Sequence, residues 1–314
     1  MLTLLLLACT GPATTDAPDT GATDSADTSD TVDTEPEVIL WAKYKVDTSS
    51  TLRGVYSSGQ GVYLVGSRGQ AWVGSATDAW AAYALPAELV GVDINGLWGN
   101  GAAETLQLAV AADNGLVGVL SGGLWTVYTL GAGANLSVDG TSLANLFVVG
   151  DNGIQHFDGV AWTVENLPPV TMNGVWAYEG GAFAAGNEGV VMKRADGGTW
   201  AESETNKVAN FYGISGAGGS DVWVAGDQGV ILHWNGTSWT QVESGTTETL
   251  NALYVGATDS ILAVGNDGVT LKYSGAGWKE LANETNQNLY AVHGVSAANA
   301  WAVGNGGLAM QYKE

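Results

Sequence analysis

The sequence predicts an all-β chain folded as a seven-bladed β-propeller of four-stranded antiparallel blades. Three observations carry the prediction. A glycine-closed turn recurs seven times at about forty-residue spacing, a tryptophan-led polar strand recurs in register with it, and the composition pairs 46 Gly and 13 Trp with only 13% charged residues. Units of four short strands at that period are what propellers are built from. Gly-rich turns between aromatic strands fit an all-β class.

The chain opens MLTLLLLAC. The apolar run Leu2–Ala8 is too short to span a bilayer as a helix. Leu6-Leu7-Ala8-Cys9 resembles the bacterial lipobox, a resemblance that implies cleavage before Cys9 and lipidation of its thiol. No Lys or Arg precedes the run, in contrast to most secretory signals. Cys9 is the only cysteine, so neither an internal disulfide nor a cysteine metal cluster can form. Residues 1–9 are therefore expected to be an export signal. Thr10, rather than Asp, after the cysteine favours the outer membrane.

Residues 10–36 are almost wholly Thr, Asp, Ala, Ser, Gly and Pro, with eight acidic and no basic residues between Asp16 and Glu37. Such a segment buries too little apolar surface to offset its ordering entropy, so a disordered, self-repelling tether is expected. The chain carries −22 overall, and −14 remains without those eight charges. That balance argues against nucleic acid, whose binding rests on Lys and Arg. It equally argues against adsorption to an anionic membrane, leaving a lipid anchor as the membrane contact.

Residues 37–314 hold the repeat. The turn (V/A)-(G/A)-x-x-G closes at Gly69, Gly115, Gly153, Gly189, Gly229, Gly268 and Gly307. Its Gly, Asn and Asp residues supply the positive φ of a tight hairpin. Trp80, Trp125, Trp162, Trp200, Trp239 and Trp278 open the outer strands, and Trp125, Trp200, Trp239 and Trp278 lie eleven residues before Leu136, Phe211, Leu250 and Leu289, the expected inner-strand starts. The final repeat stops at Glu314 without an outer strand, while VILWAKYKV at 38–46 is an orphan one, with Trp41 eleven residues before Leu52. Residues 37–48 are thus expected to complete the last blade and close the ring, hiding its edges.

The unit DGGTW at Asp196–Trp200, with the looser FDGVAW and WNGTSW, is similar to the Asp-box of sialidase-type (BNR) propellers. Together with the VGxxG turn, the pattern of residues 38–314 resembles the propellers related to the photosystem II stability/assembly factor. That resemblance implies a non-enzymatic role through protein contacts. With only Arg53, Arg68 and Arg194 as arginines, a basic docking surface is not expected, and no photosynthetic role is carried over.

Most candidate site residues read as structure. The tryptophans fall at repeat positions and read as packing between blades. His156 and His233 occupy equivalent third-strand positions of separate blades, where Lys193, Lys272 and Gln311 stand elsewhere, and His293 is alone on an inner strand, so no metal site is expected. The three arginines cannot easily meet as a sialidase carboxylate clamp. Asp113, Asp151, Asp227 and Asp267 read as turn residues, and no DxDxDG spacing supports Ca²⁺. No cofactor is called for.

One ring remains. The second residue of each inner strand is read as Arg53, Asn95, Ser137, Asn173, Tyr212, Asn251 and Tyr290, a polar set expected at one channel mouth. The turns bearing Arg68, Asn114, Asn152, Glu188, Gln228 and Asp267 should open on that face. Convergent polar groups at a concavity are a binding site by default; the alternative is that they only solvate the channel. The expected function is a monomeric, non-enzymatic, envelope-anchored propeller that recognises a protein or, second, a glycan. The alternatives are a glycoside hydrolase or lyase on the same scaffold, whose paired acids no motif marks, and a passive structural protein.

Overall fold

The computed structural model describes residues 40–195 and 197–314. The lipidation residue Cys9, the tether 10–36, the first residues of the segment 37–48 and Asp196 lie outside the described residues. The described chain forms seven four-stranded antiparallel sheets, six of them meanders of consecutive strands and the seventh joining the first strand to the last three. Blade 1 begins with the inner strand Leu52–Ser57, and the inner strands of blades 2 to 7 are Ile94–Asn100, Asn135–Ser142, Met172–Tyr178, Phe211–Gly218, Leu250–Ala257 and Leu289–Ser296. This is the seven-bladed propeller that the repeat predicts.

Closure is as expected. The strand Trp41–Lys45 pairs antiparallel with Leu308–Lys313, with Trp41 opposite Tyr312, and so becomes the outer strand of blade 7. The two rings lie 5.2 Å apart, and Tyr44 packs 5.0 Å from Trp301. Val46 N donates to Gly307 O at 3.1 Å and Gly307 N donates to Ser50 O at 3.0 Å, tying the last turn to the segment that leads into blade 1.

One packing rule joins neighbouring blades. The outer-strand tryptophan of each blade packs on the second strand of the preceding blade, at one fixed register position. Trp80 meets Trp301, Trp200 meets Phe147, Trp239 meets Phe183 and Trp278 meets Trp223, all edge to face with interplanar angles of 80–88°. Elsewhere the partners are smaller or less aromatic: Trp41 shares a cluster with Leu262, Trp162 with Ala109 and Trp125 with Tyr63. Edge-to-face geometry suits the ring quadrupoles and adds about 0.5–1.5 kcal/mol per pair beyond area burial. Between blades 3 and 4 a polar bracket is added, in which Glu165 receives Trp200 Nε1 at 2.8 Å and Arg194 Nη2 at 3.1 Å.

The recurring turn explains its own sequence. In every blade its third residue donates N–H to the carbonyl just before the inner strand, as Asp227 N does to Asn210 O and Ser67 N to Thr51 O. The closing glycine has positive φ, for example 68° at Gly229, and a Cβ there would lie against Thr246 O. No other residue meets both demands.

The register of blade 3 corrects one expectation. Asn135, not Leu136, pairs with Gly150 at the position that Leu52, Ile94, Met172, Phe211, Leu250 and Leu289 hold elsewhere. Asn135 is buried at this apolar site and donates Nδ2 to Leu116 O at 3.2 Å. The bulged second position is therefore Leu136, and Ser137 belongs to the next one. There the other blades carry Gly54, Gly96, Gly174, Gly213, Ala252 and Ala291, because a larger side chain would strike the adjacent inner strand.

Two outcomes are expected. Deleting residues 37–48 should lower Tm more than any single core substitution, whereas deleting 10–36 should leave it unchanged; equal values by differential scanning calorimetry would refute closure. Trp200→Ala should cost about 3–5 kcal/mol in denaturant unfolding, the usual range for a buried large aromatic.

Candidate functional site: the axial channel

The inner strands enclose a cavity of about 700 Å³ lined by residues of all seven blades. Its walls carry polar side chains at two levels. The shallow level is the second inner-strand position: Arg53, Asn95, Leu136, Asn173, Tyr212, Asn251 and Tyr290. Six of the seven predicted residues sit there together, and the turns open on the same face, since the start of each inner strand pairs with the end of the second. The tips Arg68, Asn114, Glu188, Gln228 and Asp267 are exposed with positive φ, while Asn152 is half-buried and does not share that conformation.

The tips are held from the next blade. Arg68 N donates to Asp93 Oδ1 at 2.9 Å, Glu188 N to Asn210 Oδ1 at 3.1 Å and Asp267 N to Asn288 Oδ1 at 3.0 Å. Asp113, Asp151 and Asp227 also act as turn residues. Asp113 receives Asn95 Nδ2, Asp151 receives Ala134 N and Asp227 receives Asn210 N.

Three members of the shallow ring are clasps rather than free groups. Asn95, Asn173 and Asn251, in blades 2, 4 and 6, donate Nδ2 to the first inner-strand carbonyl of the next blade, Asn135 O, Phe211 O and Leu289 O, at 2.8–3.1 Å. Arg53 reaches Asn95 Oδ1 at 3.0 Å and Asp93 at 3.5 Å, joining blades 1 and 2. Tyr212 and Tyr290 remain half-buried at the mouth.

A deeper level was not foreseen. Four residues after each inner-strand start stand Tyr56, Trp98, Asp139, Trp176, Ser215, Tyr254 and His293. Of these, Asp139, Trp176, Ser215, Tyr254 and His293 line the cavity. The three polar members accept N–H bonds from the following blade. Asp139 Oδ2 receives Ala177 N at 2.7 Å, Ser215 Oγ receives Val255 N at 3.2 Å and His293 Nδ1 receives Ser57 N at 3.2 Å. Since His293 Nδ1 accepts, its neutral form carries the proton on Nε2. A fixed offset from the strand start is the signal that would have revealed this level.

Burial shifts both ionisable groups. Desolvation pushes Asp139 up to about 7, outweighing the backbone donors Ala177 and Gly140 that favour its charged form. Burial between Tyr56 and Tyr254 pulls His293 down to about 4.

Elsewhere the ionisable groups form separate pairs. His156 faces Glu165 at 3.2 Å and is pulled down by burial, while His233 faces Asp221 at 2.8 Å. Arg194 is ion-paired to Glu165 and does not line the cavity, so the three arginines do not converge. No three His, Cys, Asp or Glu side chains cluster as metal ligands among the described residues.

Both shifts make stability depend on pH. Asp139 binds its proton more tightly folded than unfolded, so it costs nothing below pH 4 and an increasing amount from pH 4 to 7. The cost above pH 7 is at most about 4 kcal/mol, an upper bound because the cavity reaches the carboxylate. Asp139→Asn should therefore raise Tm at pH 8 and leave it unchanged near pH 4. His293 resists protonation, so its contribution is complete above pH 6.5 and is lost as pH falls to 4; His293→Asn should flatten that acid limb in thermal melts.

No protein-family model matches the sequence, and no curated protein sequence does. Solved structures do match in fold. YCF48 bound to D1 peptide superposes with a TM-score of 0.72 at 13% identity, covering 88% of this chain and 98% of that one. Virginiamycin B lyase from Staphylococcus aureus gives 0.74 at 11% identity over 87% and 99%. The WD40 propeller domain of Doa1 gives 0.72 at 10% identity over 88% and 96%. At these identities the likeness establishes the architecture, and by it the chain is a seven-bladed β-propeller.

Proposed function

We propose that this chain is a non-enzymatic binding propeller, held at the cell envelope by a lipid on Cys9, that recognises a protein on the face where the glycine turns open. The observation that carries this reading is the crown of turn tips. Five exposed polar side chains, Arg68, Asn114, Glu188, Gln228 and Asp267, project around the channel mouth from positive-φ positions. Three of these tips are fixed by side chains of the next blade, which lowers the entropy lost on binding. Tyr212 and Tyr290 add amphipathic contact area at the centre, the residue type enriched at interfaces. A likeness to a propeller that binds a peptide supports the same reading.

A hydrolase or lyase is the second reading, and the lyase among the structural neighbours favours it. The channel holds one carboxylate, Asp139, rather than the opposed pair of a glycosidase. A passive envelope role remains the third.

The tips can be tested without touching the clasps. Arg68→Asn, Glu188→Asn and Asp267→Asn keep a residue that tolerates positive φ, and combined with Tyr212→Ala and Tyr290→Ala they should abolish cross-linked capture of an envelope partner at an unchanged Tm. Capture undiminished by the five substitutions would exclude this face. Reproducible turnover in a glycan panel would favour the enzyme instead.

A further inference from the structure

The deep level of the channel holds an acid without a counter-charge. Asp139 lines the cavity, and its hydrogen bonds come from backbone N–H groups, Ala177 at 2.7 Å and Gly140. No Lys, Arg or His forms an ion pair with it among the described residues. The cation nearest in kind, Arg53, stands at the shallow level and is engaged by Asp93 and Asn95. His293, the other ionisable group at the deep level, is kept neutral by its burial. Asp139 is half-buried at the cavity wall, and a desolvated charge without a partner is costly, so proteins seldom keep one where a neutral group would pack as well. Asn would accept the Ala177 N–H equally.

The surroundings indicate what would supply the missing charge. Trp176 of the next blade and Tyr254 line the cavity with Asp139, and Ser215 offers a hydroxyl. A single carboxylate in a cavity with otherwise uncharged walls at its depth suits an organic cation, which pairs with one acid and needs no oxygen cage. A hard divalent ion is disfavoured, since it needs several oxygen ligands and no cluster of three acidic or His side chains occurs among the described residues. The volume of about 700 Å³ suits a small molecule or an inserted side chain. The net charge of −22 draws cations toward the molecule.

We propose that the deep end of the channel is a receptor for one organic cation, an alkylammonium or guanidinium group, which pairs with Asp139 in the pocket lined by Trp176, Ser215 and Tyr254. The cation comes either from a free amine or from a Lys or Arg side chain inserted by a partner. The proposal does not depend on the turn crown: the acid lies inside the cavity, and the crown residues lie outside it.

Calorimetric titration of the full chain at pH 8 distinguishes the sources. The probes are n-butylamine, n-butylguanidine and an end-capped pentapeptide with one central lysine, with 1-butanol and the norleucine pentapeptide as neutral counterparts. At least one cationic probe should bind saturably with a dissociation constant of about 1 mM or tighter, and its neutral counterpart should not. Binding of the free amines assigns a small-molecule ligand, and binding of the peptide alone assigns a side chain. Asp139→Asn should weaken binding at least about tenfold, the loss of one charge-assisted contact, while its circular dichroism stays native. Asp139→Ser, which places there the hydroxyl that blade 5 carries at the equivalent Ser215, gives the same comparison should Asp139→Asn unfold. No saturable binding up to about 10 mM, equal affinity for neutral probes, or affinity unchanged by these substitutions would overturn the proposal.

Discussion

The fold depends on one contact made seven times: an outer-strand tryptophan set against the second strand of the blade before it. A single blade is a four-stranded sheet with two apolar faces and cannot bury either alone. The tryptophan supplies the area that makes a neighbour necessary, and the edge-to-face angle of 80–88° in four junctions fixes how far one blade is turned from the next. The chain must then supply a tryptophan for the last blade too. It does so from Trp41, at the other end of the domain, whose cluster includes Leu262 of blade 6 and Tyr312 of blade 7. Closure is thus the same contact as every other junction, made between the two ends of the sequence.

The channel is a product of that packing rather than a separate invention. Holding seven inner strands side by side brings small residues together at one position, Gly54, Gly96, Ser137, Gly174, Gly213, Ala252 and Ala291, and places polar or aromatic residues above and below it. Several polar groups first serve the ring. Asn95, Asn173 and Asn251 hold the next blade's backbone, as do Asp139, Ser215 and His293. What remains for recognition is the part of each side chain that still faces the cavity, together with the exposed turn tips.

Much of this was legible in the sequence because the repeat is enforced by sterics. The closing glycines are irreplaceable, the tryptophans recur in register, and the orphan strand around Trp41 matches the gap after Tyr312. Blade 3 misled the reading at one residue. Its strand begins with Asn135, a buried polar group in a position held by Leu, Ile, Met or Phe elsewhere, and the apolar neighbour Leu136 drew the register one step too far. The deep level escaped for a different reason. Tyr, Trp, Asp, Ser and His share no chemistry that a pattern would detect; only their fixed offset from each strand start marks one height, and in blade 3 that start is set by the strand pairing. Partner preference escaped because turn tips face solvent, where the repeat imposes little on residue type.

The clasps sit at two heights, and two neighbouring junctions use both: from the deep level Tyr56 Oη donates to Gly101 O at 2.8 Å across junction 1–2, and Trp98 Nε1 donates to Gly140 O at 2.7 Å across junction 2–3. Junction 2–3 is held at the shallow level by Asn95, 3–4 at the deep level by Asp139, 4–5 shallow by Asn173, 5–6 deep by Ser215, 6–7 shallow by Asn251 and 7–1 deep by His293. Junction 1–2 carries a shallow clasp in addition to the deep one from Tyr56. There the chain uses Arg53, long enough to reach both Asn95 and Asp93, in place of a short amide. The lone arginine of the channel thus fastens two groups of blade 2 at once, and shortening it would release Asn95 Oδ1 and leave Asp93 to the Arg68 N–H alone.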